Sequence, residues 1–271
     1  MCIIAIAWQL FDNLPLVILS NRDEFLNRPT QDAYQWSDMP IYAGRDKKSG
    51  GTWLGIHQTI EGEQNGRWAA VLNFREGVQA GPEQRSRGEL VTHYLASSLS
   101  PMQFARQIDL QAYAGFNLII GDAQQAVLVN NRGYPPTPLF AGLHVLSNGQ
   151  PDSEWFKCER LRGRVRQEVL PLIAEASSPE YWLNTAYEVL SDTLKAPKDQ
   201  LPETGVPKAI EQALSSIFIE SGGVQPLGQI SDESSAPPIA LLNYGTRTQS
   251  ILTLAGSNFH YRAALISRSV D

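Results

Sequence analysis

Cys2-Ile3-Ile4-Ala5-Ile6-Ala7-Trp8-Gln9 follows Met1, and Leu16-Val17-Ile18-Leu19-Ser20 returns after the turn Phe11-Asp12-Asn13-Leu14-Pro15, leading directly into Asn21-Arg22-Asp23-Glu24-Phe25. Two β-branched, apolar runs separated by Asp, Asn and Pro read as a β-hairpin. The apolarity is continuous rather than alternating, so the hairpin is expected to be covered on both faces, as inside a layered structure. Cys2 therefore begins a central strand, and the polar cluster 21–24, after the returning strand, is brought beside it.

Working outward, a glycine-rich stretch, Gly44-Arg45-Asp46 then Gly50-Gly51-Thr52-Trp53-Leu54-Gly55, runs into a strand ending near His57. Further strands are expected at 68–72, 116–122, 126–130 and 143–146, with a closing pair at 247–254 and 259–266. Helices are expected at 87–97 with Ser86 as cap, at 101–108 with Ser100 as cap and Pro101 at its first position, and at 153–173, 179–193 and 208–217. Strands at both ends with helices in blocks between them suit an α+β protein of two packed sheets with helical outer layers. The whole chain, 1–271, reads as a single domain. Its Gly-, Ser- and Pro-rich stretch 221–238 reads as a surface loop, because the strand after it is needed to finish a sheet.

The composition narrows the class. With 271 residues, 42% hydrophobic and 18% charged, the chain is not disordered, collagen-like or coiled-coil. A net charge of −6 argues against general nucleic-acid binding, which needs a positive surface. The one basic cluster, Lys157, Arg160, Arg162, Arg164 and Arg166, is interspersed with Glu159 and Glu168 on a helix and reads as a solvated, ion-paired face. No apolar run reaches the roughly 18–20 residues that span a bilayer, and no signal peptide is evident, so no integral membrane segment and a cytoplasmic location are expected. In a reducing compartment Cys2 and Cys158 stay unpaired; Cys158 reads as a small buried hydrophobe.

Cys2 has a different reading. A small residue after Met1 permits removal of the methionine, which would give Cys2 both a thiol and a free α-amine. The amine, with a reference pKa of roughly 7.7–8.0, can take the proton of a thiol near ~8.5, so base and nucleophile share one residue. Such a site also needs charges that hold the amine and thiolate and donors for an oxyanion. Arg22 suits the thiolate, Asp23 or Glu24 the α-ammonium, and Asn73 and Asn148, both at strand ends, the oxyanion. Asn21, Trp53 and Phe74 are candidate substrate contacts, although aromatic residues on strands also fill cores. No metal is required, and the Lys47-Lys48-Ser49-Gly50-Gly51 stretch lacks the order of a phosphate loop.

These residues sit within a longer set: Asn21-Arg22-Asp23-Glu24-Phe25, Arg28-Pro29-Thr30, Gly50-Gly51-Thr52-Trp53-Leu54-Gly55, Leu72-Asn73-Phe74-Arg75, Ser86-Arg87-Gly88, Gly115-Phe116-Asn117, Leu146-Ser147-Asn148 and Tyr244-Gly245-Thr246-Arg247-Thr248. Together with Met1-Cys2 they resemble the NRDE-motif family, also called the transport and Golgi organisation protein 2 family, in order and over nearly the whole chain. The resemblance implies a four-layer αββα sandwich of the N-terminal nucleophile hydrolase type, similar to penicillin V acylases and bile salt hydrolases. It also implies roles for Cys2, Arg22, Asn73, Asn148 and a late arginine, Arg247. Those relatives space their Arg and Asp three apart, whereas here that spacing joins Asn21 to Glu24, so Asp23 and Glu24 both remain candidates for holding the amine.

The function implied is hydrolysis of a nonpeptide C–N amide, or of an acyl bond, in a small apolar-acyl substrate, with no cofactor required. The resemblance equally implies an alternative: noncatalytic binding and trafficking of haem, or of a lipid or acyl thioester, in the same cleft. The residues themselves show no haem-attachment motif, and His57, His93, His144 and His260 are isolated. Under either reading the partner is a small molecule.

Overall fold

A computed structural model of the chain describes residues 2–76, 81, 83–151, 153–175, 179–221, 243–255 and 258–266. The expected loop 221–238 lies, except for Ser221, outside these residues. The described chain is mixed α+β with two antiparallel sheets. The first sheet contains β1 (Cys2–Trp8), β2 (Leu16–Phe25), β10 (Gly142–Leu146), β11 (Tyr244–Ala255) and β12 (Asn258–Leu265), in the order β10-β1-β2-β11-β12. The second runs β3-β4-β5-β6-β7-β8-β9 and comprises β3 (Thr30–Gln35), β4 (Ile41–Asp46), β5 (Leu54–Gln58), β6 (Gln64–Asn73), β7 (Phe116–Gly121), β8 (Ala126–Asn130) and β9 (Thr137–Pro138).

The opening hairpin is covered on both faces because its two residue parities enter two different cores. Cys2, Ile4, Ile6, Trp8, Leu16 and Ile18 meet Trp53, Leu54, Trp68 and Leu72 of the second sheet. Ile3, Ala5, Ala7, Val17 and Leu19 instead meet the helical run α3 (Phe156–Arg164) and α4 (Leu170–Ala174), and α5 (Pro179–Leu190). A third core lies where α1 (Gly88–Ala96) and α2 (Pro101–Gln107) cover the other side of the second sheet.

Several local expectations change. β2 does not stop at Ser20 but continues through Phe25, so the polar cluster 21–24 is strand, flanked by β1 and β11. Gly44-Arg45-Asp46, read as part of a glycine-rich stretch, ends a strand, 41–46, and 30–35 is a strand as well. Helix α1 begins at Gly88 without the expected Ser86 side-chain cap, whereas Ser100 and Gln103 form a reciprocal capping box at α2. The long helix starts at Phe156 and passes through a π-turn at Val165–Val169 before α4. Pro171, which cannot donate to the helical ladder, stands just beyond that turn. The other two helices end early, at Leu190 and at Ala213 in α6 (Lys208–Ala213).

Lys157 departs from the solvated face assigned to its cluster. Its neighbours are ion-paired as expected, Arg160 and Arg164 with Asp192, Arg162 with Glu159 and Arg164 also with Glu168. Lys157 itself is 2% exposed, because it shares the i, i+4, i+8 stripe of buried Leu161 and Val165. Among the described residues no helix is long and apolar enough to cross a membrane.

Asn21 ties the first sheet to its helical cover. Its Nδ2 donates to Leu190 O at 2.7 Å and to Ile217 O at 2.9 Å, and the side chain is fully buried. Asn21→Ala would leave both carbonyls buried and without this donor. It should lower the unfolding free energy by about 2–4 kcal/mol without changing the denaturant slope, as measured by urea titration.

Candidate active site

Strand register builds the site. Cys2 pairs with Arg22 across β1 and β2, and both side chains face the second sheet. There the guanidinium lies 4.3 Å over the Trp53 ring and donates to Asp46 Oδ2 at 3.0 Å and Thr30 Oγ1 at 3.2 Å. Arg28 donates to the same Asp46 oxygen at 2.6 Å, while Asp46 Oδ1 accepts from the backbone of Lys48 and Ser49. Burial opposes ionisation of Asp46, but the Arg28 hydrogen bond and the charges of Arg28 and Arg22 outweigh it and hold the carboxyl below its usual range.

Cys2 is 8% exposed and opens onto a cavity of about 440 Å³. Arg22, Glu24, Trp53, Asn73 and Arg87 are among the residues around it. The Cys2 carbonyl accepts from Ser147 Oγ at 2.8 Å, which fastens β1 to the end of β10. Burial pushes the thiol up; the cationic amino terminus and Arg22 pull it down, and Asp23 adds to the rise.

Asp23 and Glu24 divide by strand parity. Glu24 faces the cavity, 3.8 Å from Arg22 and 3.7 Å from Arg28, and accepts from Phe25 N. Asp23 is buried, accepts from Thr246 Oγ1 of β11 at 2.7 Å, and also contributes to the cavity wall. Burial raises its pKa, opposed by Lys157, the amino terminus, Thr246 and Arg75.

Asn73, the last residue of β6, reaches the cavity; Asn148 stands behind it and does not. Asn148 is fully buried, its Nδ2 donates to Asn73 O at 2.8 Å, and its own carbonyl accepts from Arg75 N. Asn148 Oδ1 receives Lys157 Nζ at 3.5 Å, and Asn117 holds the carbonyls of Ser147 and Gly149. Asn148 thus positions the 73–75 segment rather than facing the cavity. Arg247 also lies off the cavity wall, donating to Leu26 O from beside a bulge in β11. Asn21 faces the helices, and Phe74 is half-buried outside the cavity lining, so of the three expected substrate contacts Trp53 alone is on the wall. None of the four histidines lines it.

Four residues outside the expected site belong to its framework. Asp46 and Arg87 lie on the wall, while Arg75, ion-paired with buried Glu211 and 4.8 Å from the Trp155 ring, lies behind it with Lys157. Arg75 and Arg87 fall within quoted motifs, and the helical stripe signals Lys157; Asp46 carries only its place in a glycine-rich stretch. Among the described residues no cluster of His, Cys, Asp and Glu is arranged to hold a metal ion.

A family model described as Transport and Golgi organisation 2 matches residues 1–264. The Transport and Golgi organization 2 homolog of Mus musculus is 31% identical over 259 residues, covering 90% of this chain and 83% of its own. The Homo sapiens Transport and Golgi organization protein 2 homolog is 32% identical over 256 residues, covering 88% and 81%. The Drosophila melanogaster Transport and Golgi organization protein 2 is 31% identical over 135 residues, 45% of this chain and 46% of its own.

The buried ammonium of Lys157 gives the site framework a pH signature. Burial, then the charge of Arg75, lowers its pKa from 10.5 to about 8, against the opposing effect of Asp23. Between about pH 8 and pH 10.5 the unfolded chain holds this proton and the folded chain does not, so this group's contribution makes stability rise with pH. Below that window the cost of the buried charge is fully present. Urea titrations across the window should show the stability of the native protein relative to Lys157→Met rising with pH by roughly 3 kcal/mol. A pH-independent difference would mean that Lys157 titrates as a solvated lysine.

Proposed function

The chain belongs to the transport and Golgi organisation 2 family, and from that premise and the cavity built on Cys2 we propose an N-terminal-cysteine hydrolase with the four-layer αββα architecture of N-terminal nucleophile hydrolases. Its reaction is cleavage of a nonpeptide C–N amide, or of an acyl bond, in a small acyl substrate. The observation that carries this reading is the placement of Cys2: first residue of a central strand, paired with Arg22, and open to a cavity whose wall carries several charged side chains. The three apolar cores, one between the sheets and one under each helical group, support the architecture.

Cleavage of the bond before Cys2 frees its α-amine. The amine takes the thiol proton, Sγ attacks the substrate carbonyl, and the developing oxyanion is met by the side-chain amide of Asn73. Collapse expels the amine leaving group, which takes the proton back from the α-ammonium, and water then releases the acid and regenerates the thiol. Of the two acidic neighbours Asp23 is assigned to hold the amine, because Glu24 already stands 3.8 Å from Arg22 and 3.7 Å from Arg28 while Asp23 reaches the same cavity wall as Cys2. Arg22 favours the thiolate, and Arg247 acts from outside the cavity by fixing the 25–28 turn. The scheme runs on the chain's own groups, and two free thiols suit a reducing, cytoplasmic setting.

The test is a screen of small N-acyl amides and thioesters with protein whose mass shows Cys2 exposed. Cys2→Ala should lower turnover at least about 10³-fold, and Asn73→Ala should lower kcat by about 10²–10³-fold. Hydrolysis undiminished in Cys2→Ala, or equal in protein whose Cys2 nitrogen is still in a peptide bond, would overturn the reading. Saturable haem binding that survives Cys2→Ala, without hydrolysis of any substrate, would favour the carrier alternative.

A further inference from the structure

Five cationic residues line the Cys2 cavity, and they are not equivalent. Arg22 and Arg28 are both engaged by Asp46, and Arg85 pairs with Glu89 at 2.8 Å. Lys48 is exposed at the rim. Arg87 is half-buried, and among the described residues no carboxylate stands within ion-pair distance of it. Its hydrogen bond runs from Nη1 to the Gly115 carbonyl at 3.1 Å, one of the five donors a guanidinium offers.

The backbone at Arg87 is fixed by a contact that tolerates little but glycine. A Cβ on Gly51 would come within 2.7 Å of the Gly88 carbonyl carbon, and one on Gly88 within 3.0 Å of Thr52 N. The segment entering α1 is thereby clamped to the loop before β5, and the Gly115 carbonyl steadies the guanidinium from the second sheet. Burial lowers the pKa of Arg87, with the thiol of Cys2 and the carboxylates of Glu24 and Glu76 acting in the other direction. A half-desolvated, anchored arginine with donors left over gains most from an anionic ligand group, because its charge is poorly screened there.

We propose that this cavity takes a small carboxylate-bearing acyl compound, its carboxylate held by Arg87 and its acyl carbonyl over Cys2. The second contact rests on the hydrolase reading above; the first does not. Trp53, Val71 and Ala114 provide apolar wall for the acyl portion, and a cavity of about 440 Å³ sets the scale as that of a small metabolite.

The experiment separates the two contacts by using folded Cys2→Ala protein, which binds without reacting. Calorimetric titration compares N-butyrylglycine with N-butyrylglycinamide, the same acyl amide without the charge. The acid is expected to bind at least about tenfold more tightly, with the ratio falling as salt is raised. Arg87→Gln in the same background should bring the ratio near one. Arg87→Lys, which keeps the charge but loses the planar fork, should retain part of the preference and serves if the Gln variant does not fold. Equal affinities for the two compounds, absence of binding by both, or an acid preference unchanged by either Arg87 substitution would overturn the proposal. Acid preference with no hydrolysis by unmutated protein would instead defeat the hydrolase reading alone.

Discussion

A charged side chain in the middle of a sheet is the constraint around which this molecule is arranged. Arg22 sits on β2 between β1 and β11, 5% exposed, where an unpaired charge costs several kcal/mol. It is accommodated only because the second sheet offers Asp46, Thr30 and the face of Trp53. The first two strands of that sheet, β3 at Thr30 and β4 at Asp46, are thus bound to the first sheet by charge and hydrogen bonding. Strand alternation does the rest: Arg22 and Glu24 face the other sheet, while Asn21 reaches the helical cover and Asp23 is held by Thr246 of β11.

The cavity follows from this arrangement. Cys2 lies opposite Arg22 by register, so the thiol is placed beside a positive charge whose own position is fixed by Asp46. Behind the cavity a buried polar set, Asn148, Ser147 and Lys157, takes the place that apolar packing holds elsewhere in the core. Such groups are costly unless satisfied, and here the amide of Asn148 spans Asn73 on one side and Lys157 on the other. The end of β6 is therefore held in place from inside the protein, leaving the side chain of Asn73 at the wall.

The sequence made the hairpin, its double-sided burial and most strands legible, because continuous β-branched runs carry their own signal. It also brought Cys2, Arg22, Asp23, Glu24, Trp53 and Asn73 to one place, since all lie at strand ends or next to the first hairpin. Three kinds of residue escaped. The strands 30–35 and 41–46 are short, polar or glycine-bearing, and pair in sequence order with each other and with β5 without the continuous apolar run that marks the hairpin. Asn21 and Asn148 carry the same polar signal as Asn73, and only the face each strand or loop presents distinguishes structural ties from cavity lining. Lys157 was obscured by four solvated arginines whose composition outweighed its position on the apolar stripe.

Under the hydrolase reading the two cysteines differ in kind: Cys2 opens onto the cavity, whereas Cys158 is a buried apolar residue whose thiol burial pushes up to about 11. Time-resolved alkylation of the folded, processed protein by iodoacetamide, with peptide mass mapping, measures this directly. Cys2 should be modified in the native state, faster as pH rises from 7 toward about 9, and Cys158 only after unfolding. Native Cys2 that resists the reagent, or Cys158 reacting as fast as Cys2, would contradict that reading.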